Sequence, residues 1–151
     1  MTAKELTERF GMSAHPENGA FIERHYAHEG SGRAASGSIY YYVAPGELTQ
    51  FHVIDCDEYW CYAEGSALEV WIVDPADGSV AVKRLGADAG CEPCVYIRRG
   101  LIFASRHGDK VADGTFLTCI TVPRFDYVGF TIIPEGEMRE KYPKTAKFFE
   151  K

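Results

Sequence analysis

From Ser38 to Ile132 the apolar positions come in short runs rich in β-branched and aromatic residues, and each run is stopped by turn residues. Ser38 to Val43 is one such run, ended by Pro45-Gly46, because proline cannot donate to a strand ladder and glycine tolerates turn dihedrals. Phe51 to Ile54 and Tyr59 to Ala63 follow, separated by Asp55-Cys56-Asp57, and read as a hairpin. Leu68 to Val73 meets Asp74-Pro75-Ala76-Asp77-Gly78, a strong turn signal, and Val80 to Leu85 returns from it as a second hairpin. Val95 to Ile97, Leu101 to Ala104, Phe116 to Val122 and Tyr127 to Ile132 complete the series. Their regular spacing predicts an all-β sandwich or barrel, with Gly46, Pro75, Gly78 and Gly100 in turns and Phe51, Val70, Ile72 and Ile120 among the packed residues.

Helical character is confined to the ends. Thr2-Ala3-Lys4-Glu5 has the capping-box form, and Leu6 and Phe10 share one helical face before Gly11 stops it. A second short helix is expected between Pro134 and Pro143. Gly30 to Gly37 reads as a flexible Gly/Ser/Ala loop. At 151 residues one domain is expected: a core at about 39–132, an N-terminal arm at 1–37 lying over it, and a helical tail at 134–151.

Charge and composition narrow the partners. A net charge of −6 with no Lys/Arg run argues against nucleic acid and anionic membrane. No stretch is apolar enough to span a bilayer, and Lys4, Glu5, Glu8 and Arg9 interrupt any signal-peptide core, so a cytoplasmic protein is expected. Five cysteines in that setting read as reduced thiols. Cys91-Glu92-Pro93-Cys94 lacks a convincing second half for a zinc site with Cys56 and Cys61.

The chemistry is concentrated between Gly46 and Gly65. Gly46 precedes His52 by six residues, Glu58 follows His52 by six, and Gly65 follows Glu58 by seven. This spacing resembles the first cupin motif, with Ile54 standing where a second histidine would be. A histidine and a glutamate brought to the mouth of a small barrel can bind a metal or move protons. A less favoured alternative is a satisfied hydrogen-bonded pair that closes a hairpin.

More of the chain resembles the cupin-5 family, DUF985. The matching segments are His15 to Phe21 with Glu23, Ile39-Tyr40, Pro45-Gly46-Glu47, Phe51-His52 and Asp57 to Trp60. Further matches are Leu68-Glu69, Asp74-Pro75, Leu85 to Asp88, Gly100, Cys119 and Pro123 to Asp126. The resemblance implies an all-β double-stranded β-helix, the cupin jelly-roll barrel, with short terminal helices and often a homodimer. It implies no particular activity, because cupins host many. Where relatives carry a histidine three residues after the motif glutamate, this chain has Cys61; in the second motif Arg98 and Phe103 replace the usual proline and ligand, and Cys94 replaces a glutamine.

Three functions are compatible with these residues. The first is acid–base chemistry of isomerase, epimerase or lyase type by His52 and Glu58 on a small polar organic molecule, with Tyr40, Tyr42, Trp60, Cys61 and Phe103 bordering the ligand. The second is a metal-dependent oxygenase or lyase in which His52, Glu58 and Cys61 hold a divalent Zn or Fe. The third is a non-catalytic binding or sensing module. The loss of the other ligand positions to Ile54 and Phe103 favours the first. His15 is either a loop anchor or a catalytic group, and His25, His28 and His107 are expected at the surface.

Overall fold

The computed structural model describes residues 1–150, and the secondary structure follows the hydrophobic pattern over most of its length. In chain order the elements are α1 (Ala3–Phe10), β1 (Ser13–Ala14), β2 (Ala20–Ala27), β3 (Ser36–Val43), β4 (His52–Val53) and β5 (Asp57–Gly65). They continue with β6 (Leu68–Val73), β7 (Val80–Leu85), β8 (Cys94–Ile97), β9 (Ile102–Arg106) and β10 (Thr115–Val122). A short 3-10 turn at Tyr127–Gly129, β11 (Thr131–Ile132), α2 (Glu135–Lys141) and a 3-10 helix at Pro143–Phe149 end the chain.

Two antiparallel sheets result. One has the order β1-β2-β3-β10-β5-β8 and the other β11-β4-β9-β6-β7. Strand pairing does not close them into one barrel; a single bridge, Leu85 to Glu92, links β7 to the segment before β8. The main core lies between the sheets, with Tyr41, Val43, Trp60 and Leu117 from the first meeting Val70, Phe103 and Ile54 from the second side. Each outer face is covered in turn. Leu6 and Phe10 of α1 lie on Tyr42 and Phe116, while Met138 of α2 and Phe148 of the 3-10 helix lie on Phe51, Val73 and Ile102. Phe51 and Val70 are therefore fully packed, as the sequence suggests, while Ile72 and Ile120 are only half-buried.

Local signals are borne out closely. Thr2 accepts from the Glu5 amide and Glu5 answers to the Thr2 amide, and Gly11 ends the helix in the left-handed region at φ 60°. The β6–β7 hairpin pairs Leu68 with Leu85 through Val73 with Val80. The expected hairpin between the runs around His52 and Tyr59 does not form. β4 pairs with β9 and β11, whereas β5 pairs with β10 and β8, so His52 and Glu58 stand on opposite sheets. The link between them turns inward on Ile54 and Cys56, both buried, which carries the chain across the core instead of back along it. The N-terminal region also contains strands: β2 pairs with β3 along its length and extends the first sheet over the cavity described below. Among the described residues no helix is long and apolar enough to cross a membrane.

Candidate active site

The link between β1 and β2 is a five-residue turn, His15 to Gly19, closed by the His15 amide on the Gly19 carbonyl at 2.9 Å. Asn18 and Gly19 both have positive φ, and a Cβ at Gly19 would stand 2.7 Å from the Tyr41 hydroxyl, so glycine is required there. Tyr41 Oη donates to the Asn18 carbonyl, and Glu47 accepts from the Gly19 amide. The turn is thereby locked onto the segment that leads into β4. Gln50 completes the link, since its amide donates to the Glu17 carbonyl at 2.8 Å and its carbonyl accepts from His52 Nδ1 at 2.8 Å.

This places Glu17 against His52. His52 Nε2 lies 2.6 Å from Glu17 Oε2, with both side chains almost fully buried. No well-directed hydrogen bond reaches that oxygen, so the contact is held chiefly by charge. Burial alone would push the carboxyl up and the imidazole down; their mutual attraction overcomes it, leaving Glu17 below and His52 above the ordinary values. Both shifts favour a carboxylate beside an imidazolium. His15 also faces Glu17, at 3.8 Å, but burial among Phe21, Tyr41 and Phe130 lowers its affinity for a proton. Its Nδ1 accepts from the Glu17 amide at 3.1 Å, which puts the proton of the neutral ring on Nε2.

Glu58 enters from β5 on the other sheet. Burial, and secondarily the Glu17 charge, raise its carboxyl to about 7 even though His52 acts in the opposite sense. Two carboxyl groups therefore share one cavity with opposite tendencies. That cavity measures about 1100 Å³, and His15, Glu17, His52 and Glu58 all line it. Phe21, Ile39, Ile54 and Phe125 give it apolar walls, and the exposed Tyr26 and Tyr127 flank the opening. Arg33 and Arg124 also line it. Arg33 is held bidentate by Asp55 at 2.8 and 3.0 Å, while Arg124 pairs with Glu23 and lies over the Tyr26 ring.

Of the residues expected from sequence, His52 and Glu58 reach the cavity. Phe103 does not line it, but is the cross-strand neighbour of His52 and supports that ring at 4.1 Å. Trp60 is buried behind the site, with its indole N–H unpartnered and close to Glu58. Tyr40 and Tyr42 are corrected: the β3 pleat turns Tyr41 inward, and its two neighbours face outward, where they meet Phe10, Phe116 and Ala3 beneath α1. Cys61 is corrected for the same reason. Glu58 and Trp60 point in from β5, so Cys61 points out, away from His52. His107 is buried rather than exposed, hydrogen-bonded to Thr115, whereas His25 and His28 are exposed.

The donors present do not form a metal set. Both His52 nitrogens and His15 Nδ1 already face protein partners, Ile54 and Phe103 cannot coordinate, and Cys61 lies on the wrong face. Among the described residues no three His, Cys, Asp or Glu side chains are grouped to hold an ion. Glu17 is the residue that sequence reasoning missed. The family-like His-Pro-Glu segment contained it, but nothing in the spacing joins position 17 to position 52.

The fold recurs among solved structures. Protein SO0799 from Shewanella oneidensis superimposes with a TM-score of 0.88 at 23% identity, over 97% of this chain and 94% of that one. A hypothetical protein from Leishmania major gives 0.85 at 26% identity, over 98% and 96%. An oxalate decarboxylase from Bacillus subtilis gives 0.59 at 15% identity, over 80% of this chain but 29% of that one. No curated protein matches the sequence. A family model described as Cupin superfamily (DUF985) matches residues 4–133, nearly the whole described fold, and on that match the chain belongs to the Cupin_5 family.

Proposed function

We propose that the protein is an enzyme that binds a small polar organic molecule in the cavity between its sheets and acts on it by acid–base chemistry of isomerase, epimerase or lyase type. The observation that carries this reading is the pair of buried carboxyl groups on one cavity, one held ionised by a histidine and the other protonated up to about pH 7. Divergent proton affinities within a shared site are what separate an acid from a base. Glu17, kept charged by His52, is the base that receives a proton from the substrate. Glu58, mostly neutral below about pH 7, is the acid that delivers one. His52 is a positioning residue, because Gln50 and Glu17 occupy both of its nitrogens.

The roles make the pH dependence specific. Activity falls as pH rises through about 7, when Glu58 ionises, and falls again in acid as Glu17 takes up a proton. The test is a thermal-shift screen against sugars, sugar nucleotides and organic acids with wild type, Glu17→Gln, His52→Ala and Glu58→Gln, with elemental analysis of each protein. Ligands that stabilise wild type and are weakened by the substitutions support the reading. Shifts unchanged by all three place the site elsewhere, and stoichiometric metal lost in the variants replaces this chemistry with a metal-dependent one. We further expect a homodimer, since both sheets end in exposed edges. A monomer mass by light scattering at micromolar concentration refutes that.

A further inference from the structure

Cys61 and Cys94 do not line the cavity just described and lie on the outer face of the first sheet. They are direct cross-strand partners on β5 and β8, and their sulfurs are 3.5 Å apart. Parity sets this face: Trp60 and Val95 point into the core, so their neighbours Cys61 and Cys94 point out together, next to the similarly outward pair Tyr59 and Tyr96. The Tyr62 amide donates to the Pro93 carbonyl, which makes that position the hydrogen-bonded pair and puts the two cysteines at a non-hydrogen-bonded one. There the Cα atoms approach to roughly 4.5 Å, at the short end of the range a disulfide spans. β8 is the last strand of its sheet and Cys94 is exposed, so one sulfur is open to solution while the other sits half-buried behind it. The remaining thiols are placed otherwise: Cys56 and Cys119 are buried in the core, and Cys91 packs near Gly86.

We propose that Cys61 and Cys94 are a reversible thiol–disulfide site, closed by small disulfides such as oxidised glutathione and reopened by thiols. The Cys94 thiol gives up its proton, and its thiolate attacks one sulfur of oxidised glutathione. That S–S bond breaks, a mixed disulfide forms on Cys94, and one glutathione thiolate leaves. Cys61 then loses its proton and attacks the Cys94 sulfur, expelling the second glutathione thiolate. The two leaving thiolates take up the two protons, so the chain loses two hydrogens and two electrons while one glutathione disulfide becomes two thiols. The order follows from access and proton affinity, because burial and the neighbouring Cys94 raise the Cys61 thiol to about 11 and leave it little thiolate for a first attack. This pairing departs from the all-reduced reading of the cysteines only under oxidising conditions, as transient redox-responsive disulfides in reducing compartments do.

The experiment treats the full chain with oxidised glutathione, alkylates the remaining thiols and maps the peptides without reduction. Wild type should lose two of its five thiols and the mass of two hydrogens, yield one linked peptide pair containing Cys61 and Cys94, and recover on adding dithiothreitol. Cys61→Ser should stop with one glutathione on Cys94, Cys94→Ser should lose no thiol, and Cys91→Ser should close like wild type. No thiol loss in wild type, a bridge that contains Cys91, a bridge between two chains, or glutathione left on both cysteines overturns the proposal.

Discussion

Replacing Glu58 with glutamine should make the protein more stable, and increasingly so as the pH rises. The side chain is buried in the cavity lining, and burial raises its carboxyl to about 7 in the fold against an ordinary value of 4.5. Its proton affinity is raised on folding, so its favourable contribution is fully present below about pH 4.5 and is lost as pH climbs through about 7. Each tenfold change in proton affinity is worth about 1.4 kcal/mol, so the ionised carboxylate costs roughly 3 kcal/mol well above pH 7. Linkage spreads that cost, and between pH 5 and 7 it grows by about 2 kcal/mol. Glutamine keeps the shape and cannot ionise. The difference in unfolding free energy between Glu58→Gln and wild type should therefore rise by about 2 kcal/mol over that interval, or roughly 4–8 °C in Tm for a chain of this size. Urea unfolding of both proteins at pH 5, 6, 7 and 8 measures it, and the subtraction cancels the titrating groups that do not interact with Glu58, leaving Glu17 and His52 as the coupled ones. A difference that stays flat within about 0.5 kcal/mol across the series refutes the assignment, because it means that Glu58 is ionised in the fold without penalty or is already hydrated.

Glu17→Gln should destabilise by about 3–5 kcal/mol, since it strands a buried imidazolium, and the His52 titration followed by NMR should drop from above to below its ordinary value. The raised His52 contributes stability that is lost as pH rises above about 6.5, and the lowered Glu17 contributes stability that is lost in acid below about 4.5, so this deficit peaks between those pH values. An unmoved His52 midpoint counts against the pair. Arg106→Met should cost about 1–3 kcal/mol and speed proteolytic clipping of the C-terminus, because Arg106 Nη1 holds the carbonyls of Lys147, Phe148 and Glu150. Equal clipping rates in variant and wild type would remove that anchoring role. Phe103→Ala should lose about 3–5 kcal/mol as a core cavity and also weaken ligand-induced shifts, since the ring supports His52; unaltered shifts leave it a purely structural residue.

The elements that the sequence made legible are those whose signals are local. Asp74 to Gly78 must turn, so Leu68–Val73 and Val80–Leu85 must pair, and Thr2 with Glu5 starts a helix regardless of what that helix covers. The β4–β5 pairing failed because a short polar link between two apolar runs looks the same whether the chain returns beside itself or crosses to the opposite sheet. Only the burial of Ile54 and Cys56 within that link decides it, and that is a tertiary property. β2 was hidden for a related reason. Glu23, Arg24 and His25 make it look like a loop, yet Phe21 and Glu23 line the cavity on one face while Arg24 lies over Phe10 and Tyr40 on the other, so charged residues sit on both faces of the strand.

The site shows the same division at finer scale. His52 and Glu58 are identified by type and spacing within one segment, whereas Glu17 reaches them through the backbone of Gln50, whose amide donates to the Glu17 carbonyl and whose carbonyl accepts from His52 Nδ1. No residue pattern encodes a junction made by main-chain groups. Tyr40 and Tyr42 against Tyr41 was a question of parity, and alternation could not settle it because both faces of β3 are covered, one by the core and one by α1. A strand covered on both sides presents apolar residues at every position. The same parity rule, once a single inward residue is known, then works along β5 as far as Tyr62, before the register shift at Ala63: Trp60 in the core fixes Glu58 inward toward His52 and Cys61 outward toward Cys94. One strand therefore carries an acid–base group on its inner face and a thiol pair on its outer face, and the two can be perturbed independently: Cys61→Ser should leave the Glu58 titration in place, and Glu58→Gln should leave the Cys61–Cys94 sulfur contact in place.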